Sequence, residues 1–333
     1  MNTDLTSNYI KTRSVVIIKQ GLILYWSGKI QWIYDLTRNA FVDGFTNISN
    51  DLLVFDSYDS LLKKNLKSVL NKFAHGGVKQ LSNSNTIAAF ERSSIGNYYH
   101  FIFDELVDLL LLDKYARGKG EPIDNICLLD TSFFKEPLLR VSGLLKEKSR
   151  KVVYLDVSNK MASDDVLISR ITNYITFANS KRHSNKFENL LRLKEKVEIL
   201  QEAFAPRLAE IRKRTTSHYP KKIFIERGVT GNQSCFRKIY AADQAIHFKS
   251  IPFQEASYEM KISLCLGKSR SFLNPSQLIF HNDLAANGFR IVHMESLSIE
   301  EQILLFSSAD VIAGVHGAAF SNLLFAKPSA NII

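Results

Sequence analysis

The sequence is poor in cysteine and has no metal-binding cysteine pattern. Its 333 residues include three cysteines, Cys127, Cys235 and Cys265. An odd number of widely spaced cysteines does not form a disulfide framework, and neither a CxxC motif nor a Cys/His ligand spacing is present. The sequence therefore predicts a reduced, intracellular protein without structural zinc.

No signal peptide is expected from the first residues, and the sequence has no long apolar run. Residues 1–12 are polar, without the basic flank and apolar core of a leader. The two most apolar stretches, 14–26 and 106–112, are interrupted by Lys19 and Asp108. Both are shorter than the roughly 20 residues that a spanning helix needs, so we expect a soluble, cytoplasmic protein.

The amino-acid composition is close to the average for globular proteins. Hydrophobic residues make up 45% of the chain and charged residues 23%, with 15 glycines and 7 prolines. These values exclude collagen-like, low-complexity and disordered chains. The length fits one large domain or two of ordinary size.

The net charge of +10 is concentrated in one segment. Residues 181–222 contain twelve Lys/Arg against five Glu, which accounts for +7. A basic surface favours an anionic partner such as a nucleotide, a phospholipid surface, a polyanionic glycan or a nucleic acid. A solvated helix that only keeps the protein in solution would have the same composition.

The first 85 residues read as short strands and turns. Strands are predicted at 15–18, 22–25 and 30–34, with a turn at Ser27-Gly28 and a helix at 60–73. No repeat of fixed period is present.

The middle of the chain alternates between helix and strand. Apolar runs at 125–130 and 151–156 are typical of buried parallel strands, and a helix is predicted at 100–115. Residues 187–214 form a long amphipathic helix that Pro206 should kink or end. Its apolar stripe comprises Leu190, Leu193, Val197, Leu200 and Phe204.

The last part of the chain shows the succession of a doubly wound α/β domain. Ser298 and Glu301 form a capping box before a helix at 302–308. Strands are predicted at 221–226, 288–293, 310–314 and 330–333, and a turn at 314–319 opens a helix through Phe325. Because the sequence ends inside the last strand, we expect further sequence beyond it.

Three sets of residues could carry chemistry. In a helix that starts near Tyr99, His100 and Asp104 lie on one face and could form a general base; the alternative is an ordinary helix start capped by Asn97. In the turn at 316–319, the small residues could bring backbone N–H groups to a phosphate and His316 could donate a further hydrogen bond, or the segment could form only a tight turn. Arg227 follows a strand, where anions bind in α/β sheets, or is a surface arginine.

Together, these motifs resemble glycosyltransferase family 61, whose bacterial members are often labelled capsular polysaccharide biosynthesis proteins. Residues 97–104 read N-Y-x-H-F-x-x-D. Residues 288–322 carry S-x-x-E-Q and A-x-V-I-x-G-x-H-G-A-A, and the asparagine of S-N-L-L-F is Asn322. The resemblance extends from about Gly96 to Ile333.

The resemblance implies a GT-B arrangement, with two Rossmann-like doubly wound domains that face a cleft. The corresponding division is a β-rich segment at 1–85, an acceptor-side domain at 86–215 that ends in the basic helix, and a nucleotide-sugar domain at 216–333. It also implies inverting transfer of a sugar from a nucleotide sugar.

The resemblance assigns roles to individual residues. Asp104 would be the general base and His100 would orient that base or the acceptor, while Asn97 and Tyr99 would bind the acceptor. The predicted donor-binding residues are Arg227, Arg270, His316, Gly317, Ala318, Ala319, Asn322 and, as a candidate ribose ligand, Glu301.

The sequence departs from the family around its second basic motif. Residues 269–277 resemble that motif, with Pro275 and Gln277 in place of the usual acids. An insertion at 229–268 separates Arg227 from Arg270, and Arg237 is a rival for the role of Arg270. The insertion could be a lid or an acceptor-binding element.

No cofactor is implied, since the nucleotide sugar is a substrate, and the lack of a DxD triplet agrees with a reaction that needs no metal. The implied partners are a nucleotide-sugar donor and a glycan or lipid-linked glycan acceptor of capsule or lipopolysaccharide synthesis. The basic helix would hold the protein at the anionic inner face of the membrane. The main alternative is a catalytically silent nucleotide- or glycan-binding protein.

Two further alternatives have less support. Only the charge suggests a nucleic-acid-binding protein, and no nucleic-acid partner is expected because no such motif is present. An oxidoreductase is least favoured, because the GxGxxG motif is missing.

Overall fold

The structure is a computed structural model, and it describes most of the chain. The chain divides into two compact units, residues 1–204 and 205–333. The described residues are 14–26, 30–35, 40–42, 79–82, 84–89, 96–146, 150–154, 166–178, 186–213, 219–226, 275–294, 297–314 and 317–333. Both units combine helices with a sheet that contains parallel strands, which confirms the α/β class. The GT-B arrangement and the three-part domain division stay predictions.

The first unit contains an eight-stranded mixed sheet. Its strands run in the order β3-β2-β1-β8-β5-β6-β7, and β4 pairs with β8. They are β1 (Ser14–Trp26), β2 (Ile30–Asp35), β3 (Ala40–Val42), β4 (Lys79–Ser82), β5 (Thr86–Ile87), β6 (Asn125–Leu128), β7 (Lys151–Tyr154) and β8 (Val166–Ala178). The pairs among β1, β2, β3 and β8 are antiparallel, whereas β4 through β8 pair in parallel.

The long strand β8 joins the two parts of this sheet, and the sequence did not predict it. Because β8 pairs along most of β1, residues 14–26 form one strand instead of the two predicted. The pairing of β1 with β2 confirms the predicted hairpin, while its turn at Ser27-Gly28 and the predicted helix at 60–73 lie outside the described residues. The predicted parallel strands β6 and β7 are confirmed.

After β5 in the sequence, one continuous helical segment extends from residue 98 to residue 118. It consists of α1 (Tyr98–His100), a π-helical turn (Phe101–Leu106) and α2 (Val107–Gly118). A shorter helix, α3 (Lys135–Val141), lies between β6 and β7 in the chain. Leu109, Leu112 and Ala116 are fully buried, so α2 contributes a continuous apolar face to the core.

The predicted amphipathic helix forms as α4 (Lys186–Lys213). It continues past Pro206, so the expectation that this proline could end it is wrong. A proline removes one backbone hydrogen bond, and the buried Leu208 and Ile211 beyond it favour continuation of the helix. Leu200 and Phe204 are fully buried as predicted, whereas Leu193 is 38% exposed.

The second unit is built on four parallel strands in the order β10-β9-β11-β12. Its elements are β9 (Lys222–Glu226), α5 (Pro275–Ala286), β10 (Phe289–His293), α6 (Ile299–Ser308), β11 (Val311–Gly314), a 3₁₀ helix (Ala318–Phe325) and β12 (Asn331–Ile332). The predicted strands are thereby confirmed. Strand β10 pairs with one edge of β9, whereas β11 pairs with its other edge and β12 follows on that side. The strand order therefore reverses between β9 and β11.

Gly314 permits the close approach of these two central strands. It is paired with Ile225 of β9. A Cβ atom at position 314 would lie 2.6 Å from the backbone oxygen of Ile225, closer than real contacts allow. Glycine is therefore required here by the space between the strands.

Of the helices in the described ranges, none is both long enough and apolar enough to cross a bilayer.

Candidate functional site

The helical segment at Tyr98 begins with a side-chain cap at Asn97, which the sequence offered as the alternative to a general base. The Asn97 Oδ1 atom accepts a hydrogen bond from the His100 backbone N–H at 3.3 Å. The π-helical turn follows directly and contains Asp104. This turn was not predicted; single π turns within helices are rare and often occur at functional sites.

His100 and Asp104 are in direct contact, as the sequence spacing predicted. The His100 Nδ1 atom lies 2.8 Å from Asp104 Oδ2. The side chains are 36% and 24% exposed, respectively, so the pair is accessible to solvent and to a substrate. An imidazole held by a carboxylate can move a proton.

Lys196 completes this group, although the sequence did not single it out. Its Nζ atom lies 2.6 Å from Asp104 Oδ1, and the side chain is 16% exposed. Lys196 lies on α4, 92 residues from Asp104 in sequence. In the sequence, Lys196 is one of twelve basic residues in the segment 181–222, and nothing distinguishes it from the other eleven.

The charges around Asp104 determine its ionisation. Burial by itself raises the pKa of Asp104, but the Lys196 ammonium and the His100 ring more than offset that effect. The pKa therefore lies below its ordinary value, and Asp104 is ionised at neutral pH.

Tyr99 lies beside the pair and is 39% exposed. Its ring is tilted against Phe103, with centroids 5.0 Å apart, and contacts the His100 ring edge-on at 5.3 Å. Burial and the nearby Asp104 charge both raise the pKa of Tyr99, so its hydroxyl stays protonated at neutral pH and can donate a hydrogen bond.

A buried ion triad lies behind this group. The Lys135 Nζ atom is 2.6 Å from Asp130 Oδ1 and 3.0 Å from Glu105 Oε2, and it lies 4.9 Å from the centre of the Phe101 ring. All three charged side chains are at most 5% exposed. The triad therefore ties the π-helical turn to the segment that follows β6.

Asp130 also holds the loop before the helix. Its Oδ2 atom accepts hydrogen bonds from the backbone N–H of Ser132 at 3.2 Å and of Gly96 at 3.4 Å. Gly96 has a φ of +62°, in the left-handed region that favours glycine, and precedes the Asn97 cap. The sequence identified none of Glu105, Asp130 and Lys135 as parts of the site, since no local pattern shows that they meet.

The second unit contains Gly317, Ala318 and Ala319, which are the described residues of the turn that the sequence predicts to bind phosphate. Gly317 caps the 3₁₀ helix, whose first residues are Ala318 and Ala319. The first N–H groups of a helix lack partners within it and point outward from its start. This turn follows the carboxyl end of β11, next to the reversal of strand order where α/β sheets bind ligands.

Two further predicted donor residues have structural contacts. Glu301 Oε2 accepts from the Ser298 backbone N–H at 2.7 Å, and Ser298 Oγ accepts from the Glu301 N–H at 3.3 Å. The predicted capping box is thus confirmed. Asn322 is fully buried, and its Nδ2 donates to Gln302 Oε1 at 2.9 Å.

The hydrogen bonds of Gln302 give a structural role to the glutamine of the S-x-x-E-Q motif. Its Nε2 atom donates to the backbone oxygens of Met294 and Leu297, at 3.0 and 3.1 Å. With the bond from Asn322, this side chain connects the segment after β10, helix α6 and the 3₁₀ helix. The motif therefore fixes the position of the helix that starts at the predicted phosphate turn.

At the carboxyl end of β9, Glu226 contacts His281, which the sequence did not reveal. Glu226 is buried, and its Oε1 atom lies 2.8 Å from His281 Nε2 on α5. Arg227, Arg270 and His316 lie outside the described residues, as do the rival Arg237 and the insertion at 229–268. Within the described ranges, no group of three His, Cys, Asp or Glu side chains has the geometry to hold a metal ion.

Comparison with known protein families gives a match over most of the chain. The family model described as Glycosyltransferase 61 matches residues 98–333, about two thirds of the chain, including His100, Asp104, Lys196 and the 3₁₀ helix. No curated protein matches the sequence.

Proposed function

The chain belongs to glycosyltransferase family 61, and from that membership we propose that it is an inverting transferase that moves a sugar from a nucleotide sugar to a glycan. The family supports glycosyl transfer, whereas the donor, the acceptor and the stereochemistry are part of the proposal. The acceptor would be a glycan or lipid-linked glycan of surface polysaccharide synthesis, either capsule or lipopolysaccharide.

The contact between His100 and Asp104 supports this proposal most directly. Inverting transfer needs one base that removes the proton of the attacking hydroxyl group. The two side chains are 2.8 Å apart, are partly exposed and lie within the family match. Asn97 and Tyr99 flank the pair and would bind the acceptor.

The donor diphosphate would bind at the second unit. The N–H groups at Gly317, Ala318 and Ala319 follow β11 at the reversal of strand order, and a helix start favours negative charge. Arg227, Arg270 and His316 would supply further contacts to the phosphates. Asn322 would act by holding the 3₁₀ helix through Gln302, and Glu301 remains a candidate for the ribose.

These groups would stabilise the leaving diphosphate without a metal ion. Preorganised N–H dipoles and arginine side chains stabilise charge that develops on a leaving group. The nucleotide sugar is then a substrate, and no cofactor is proposed.

The catalytically silent binding protein has less support than the transferase. A silent protein would keep the phosphate turn and lose the acceptor base. Here, His100 and Asp104 are both present and in contact.

Contact with an anionic membrane surface would come from the basic segment at 181–222. Several cations on α4 already have acidic partners, since Lys196 contacts Asp104 and Arg207 contacts Glu210 and Glu300. Attraction to the membrane would therefore depend on the remaining basic residues. The proposed location at the cytoplasmic face of the membrane depends on the same residues.

The first experiment measures thermal stabilisation by UDP, GDP, CMP and dTDP nucleotides and their sugars. A rise in melting temperature with one class identifies the donor, because a ligand that binds only the folded state stabilises it. Sugar transfer is then measured with that donor. A protein that neither binds a nucleotide nor transfers or hydrolyses a nucleotide sugar would contradict the proposal.

Two variants test the assigned roles. Asp104→Asn should abolish transfer while donor binding is retained, and full activity would remove Asp104 from the site. His316→Ala should weaken donor binding, and an unchanged dissociation constant would exclude its contact with the phosphates.

A further inference from the structure

We infer that His100 Nε2 is the atom that takes the acceptor proton, and that Asp104 and Lys196 are positioning residues that hold the ring in place. This inference rests on the proposed transferase function. It reverses the roles that the sequence resemblance gave to His100 and Asp104, and it gives a role to Lys196.

The contacts of Asp104 favour this assignment. Both carboxylate oxygens are engaged, Oδ2 with His100 Nδ1 at 2.8 Å and Oδ1 with Lys196 Nζ at 2.6 Å. An ammonium group at this distance favours the charged carboxylate and opposes its protonation. Asp104 is therefore well suited to anchor a neighbouring group and poorly suited to receive a proton.

The contacts of His100 complete the assignment. A carboxylate only accepts hydrogen bonds, so the neutral ring must carry its hydrogen on Nδ1 and its lone pair on Nε2. Within the described part of the chain, Nε2 has no hydrogen-bond partner. His100 is also the more exposed of the two side chains, at 36% against 24%.

The resulting step is balanced. The acceptor oxygen forms a bond to the anomeric carbon, the bond from that carbon to the diphosphate oxygen breaks, and the nucleoside diphosphate leaves with the electron pair. The hydroxyl proton moves to His100 Nε2. The imidazolium keeps its Nδ1–H bond to the Asp104 carboxylate and later releases the proton to solvent.

Lys196 would act through Asp104. It fixes the Oδ1 atom, so the Oδ2 atom faces the ring in one orientation. Lys196→Met should lower kcat by about tenfold or more with little change in the KM for the donor, and Lys196→Arg should restore part of it. The matched control is Lys194→Met on the same helix, because Lys194 is 76% exposed and its ion pair within the described ranges is a long one, with Glu198 at 3.9 Å.

Chemical rescue distinguishes the two candidate bases. Removing a general base costs about 10²- to 10⁴-fold in rate. We expect His100→Ala to lose at least about 100-fold and to recover activity when imidazole is added. Asp104→Ala should not recover activity with formate. Rescue of Asp104→Ala by formate, together with no rescue of His100→Ala by imidazole, would overturn the inference.

A second measurement does not depend on activity. Nitrogen-15 NMR of histidine-labelled protein at alkaline pH, with His100→Gln to assign the signal, should show the Nδ1–H tautomer. Asp104→Asn should shift the tautomer ratio, whereas Lys194→Met should not. An Nε2–H tautomer in the unmodified protein would overturn the inference.

The two proposals can fail separately. If the unmodified protein binds nucleotide but neither transfers nor hydrolyses any nucleotide sugar, the transferase proposal fails and this assignment fails with it. If it is active but the rescue pattern is the reverse of that expected, only the assignment of His100 fails.

Discussion

Asp104 and Glu105 are adjacent carboxylates whose side chains contact lysines of two different elements. Asp104 contacts Lys196 of α4 at 2.6 Å, and Glu105 contacts Lys135 of α3 at 3.0 Å. Neighbouring residues on a helix point in different directions, so one carboxylate reaches the accessible side while the other is fully buried. The π-helical turn is thereby fixed from both sides.

Removal of one member of the buried triad should strongly destabilise the fold. We expect Lys135→Met to lower the free energy of unfolding by about 3–5 kcal/mol, because two carboxylates then remain buried without their cation. Urea denaturation measures this change. Lys194→Met is the control and should cost at most about 1 kcal/mol, since exposed ion pairs contribute little. Equal losses in both variants would contradict the role of the triad.

The ion pair at Asp104 should make stability depend on pH. The pKa of Asp104 is lower in the folded protein than its ordinary value. Its charge therefore stabilises the fold above about pH 4, and this stabilisation is lost as the pH falls through the folded pKa. The difference in unfolding free energy between the unmodified protein and Asp104→Asn should shrink as the pH falls below about 4. A difference that widens in acid would contradict the shift.

The hydrogen bond between Asn322 and Gln302 should stabilise the attachment of the 3₁₀ helix to α6. We expect Asn322→Ala to lower the free energy of unfolding by about 1–3 kcal/mol, because Gln302 Oε1 loses the amide that donates to it. Denaturation of the variant measures the loss, and Ser329→Ala, at an exposed position, is the control. If the 3₁₀ helix binds the donor, nucleotide affinity should also fall.

The space at Gly314 predicts a steric effect. Gly314→Ala places a Cβ atom 2.6 Å from the Ile225 oxygen, so β9 and β11 must separate. We expect a loss of about 1–3 kcal/mol in the free energy of unfolding. Gly118→Ala is the matched control, since nothing lies within 4 Å of its added Cβ, and it should be neutral or slightly stabilising. Similar effects at both positions would contradict the packing argument.

Local patterns in the sequence were sufficient for much of the fold. The strands from Lys222 onward and the capping box at Ser298 depend on residues close together in the chain, and both predictions are confirmed. The Asn97 cap, which the sequence offered as an alternative to a general base, is local in the same way and is present beside the His100–Asp104 contact. The contact between His100 and Asp104 was predictable for the same reason, since one helical turn brings them together.

Only the tertiary structure determined which distant residues meet. Lys196 reaches Asp104 across 92 positions, and Lys135 joins Glu105 and Asp130 in the core. Likewise, the pairing of β8 with β1 makes one strand where the sequence indicated two. From the sequence alone, we can say that a charged side chain must either contact water or have a partner. Which partner it contacts depends on which distant residues the tertiary structure brings close to it.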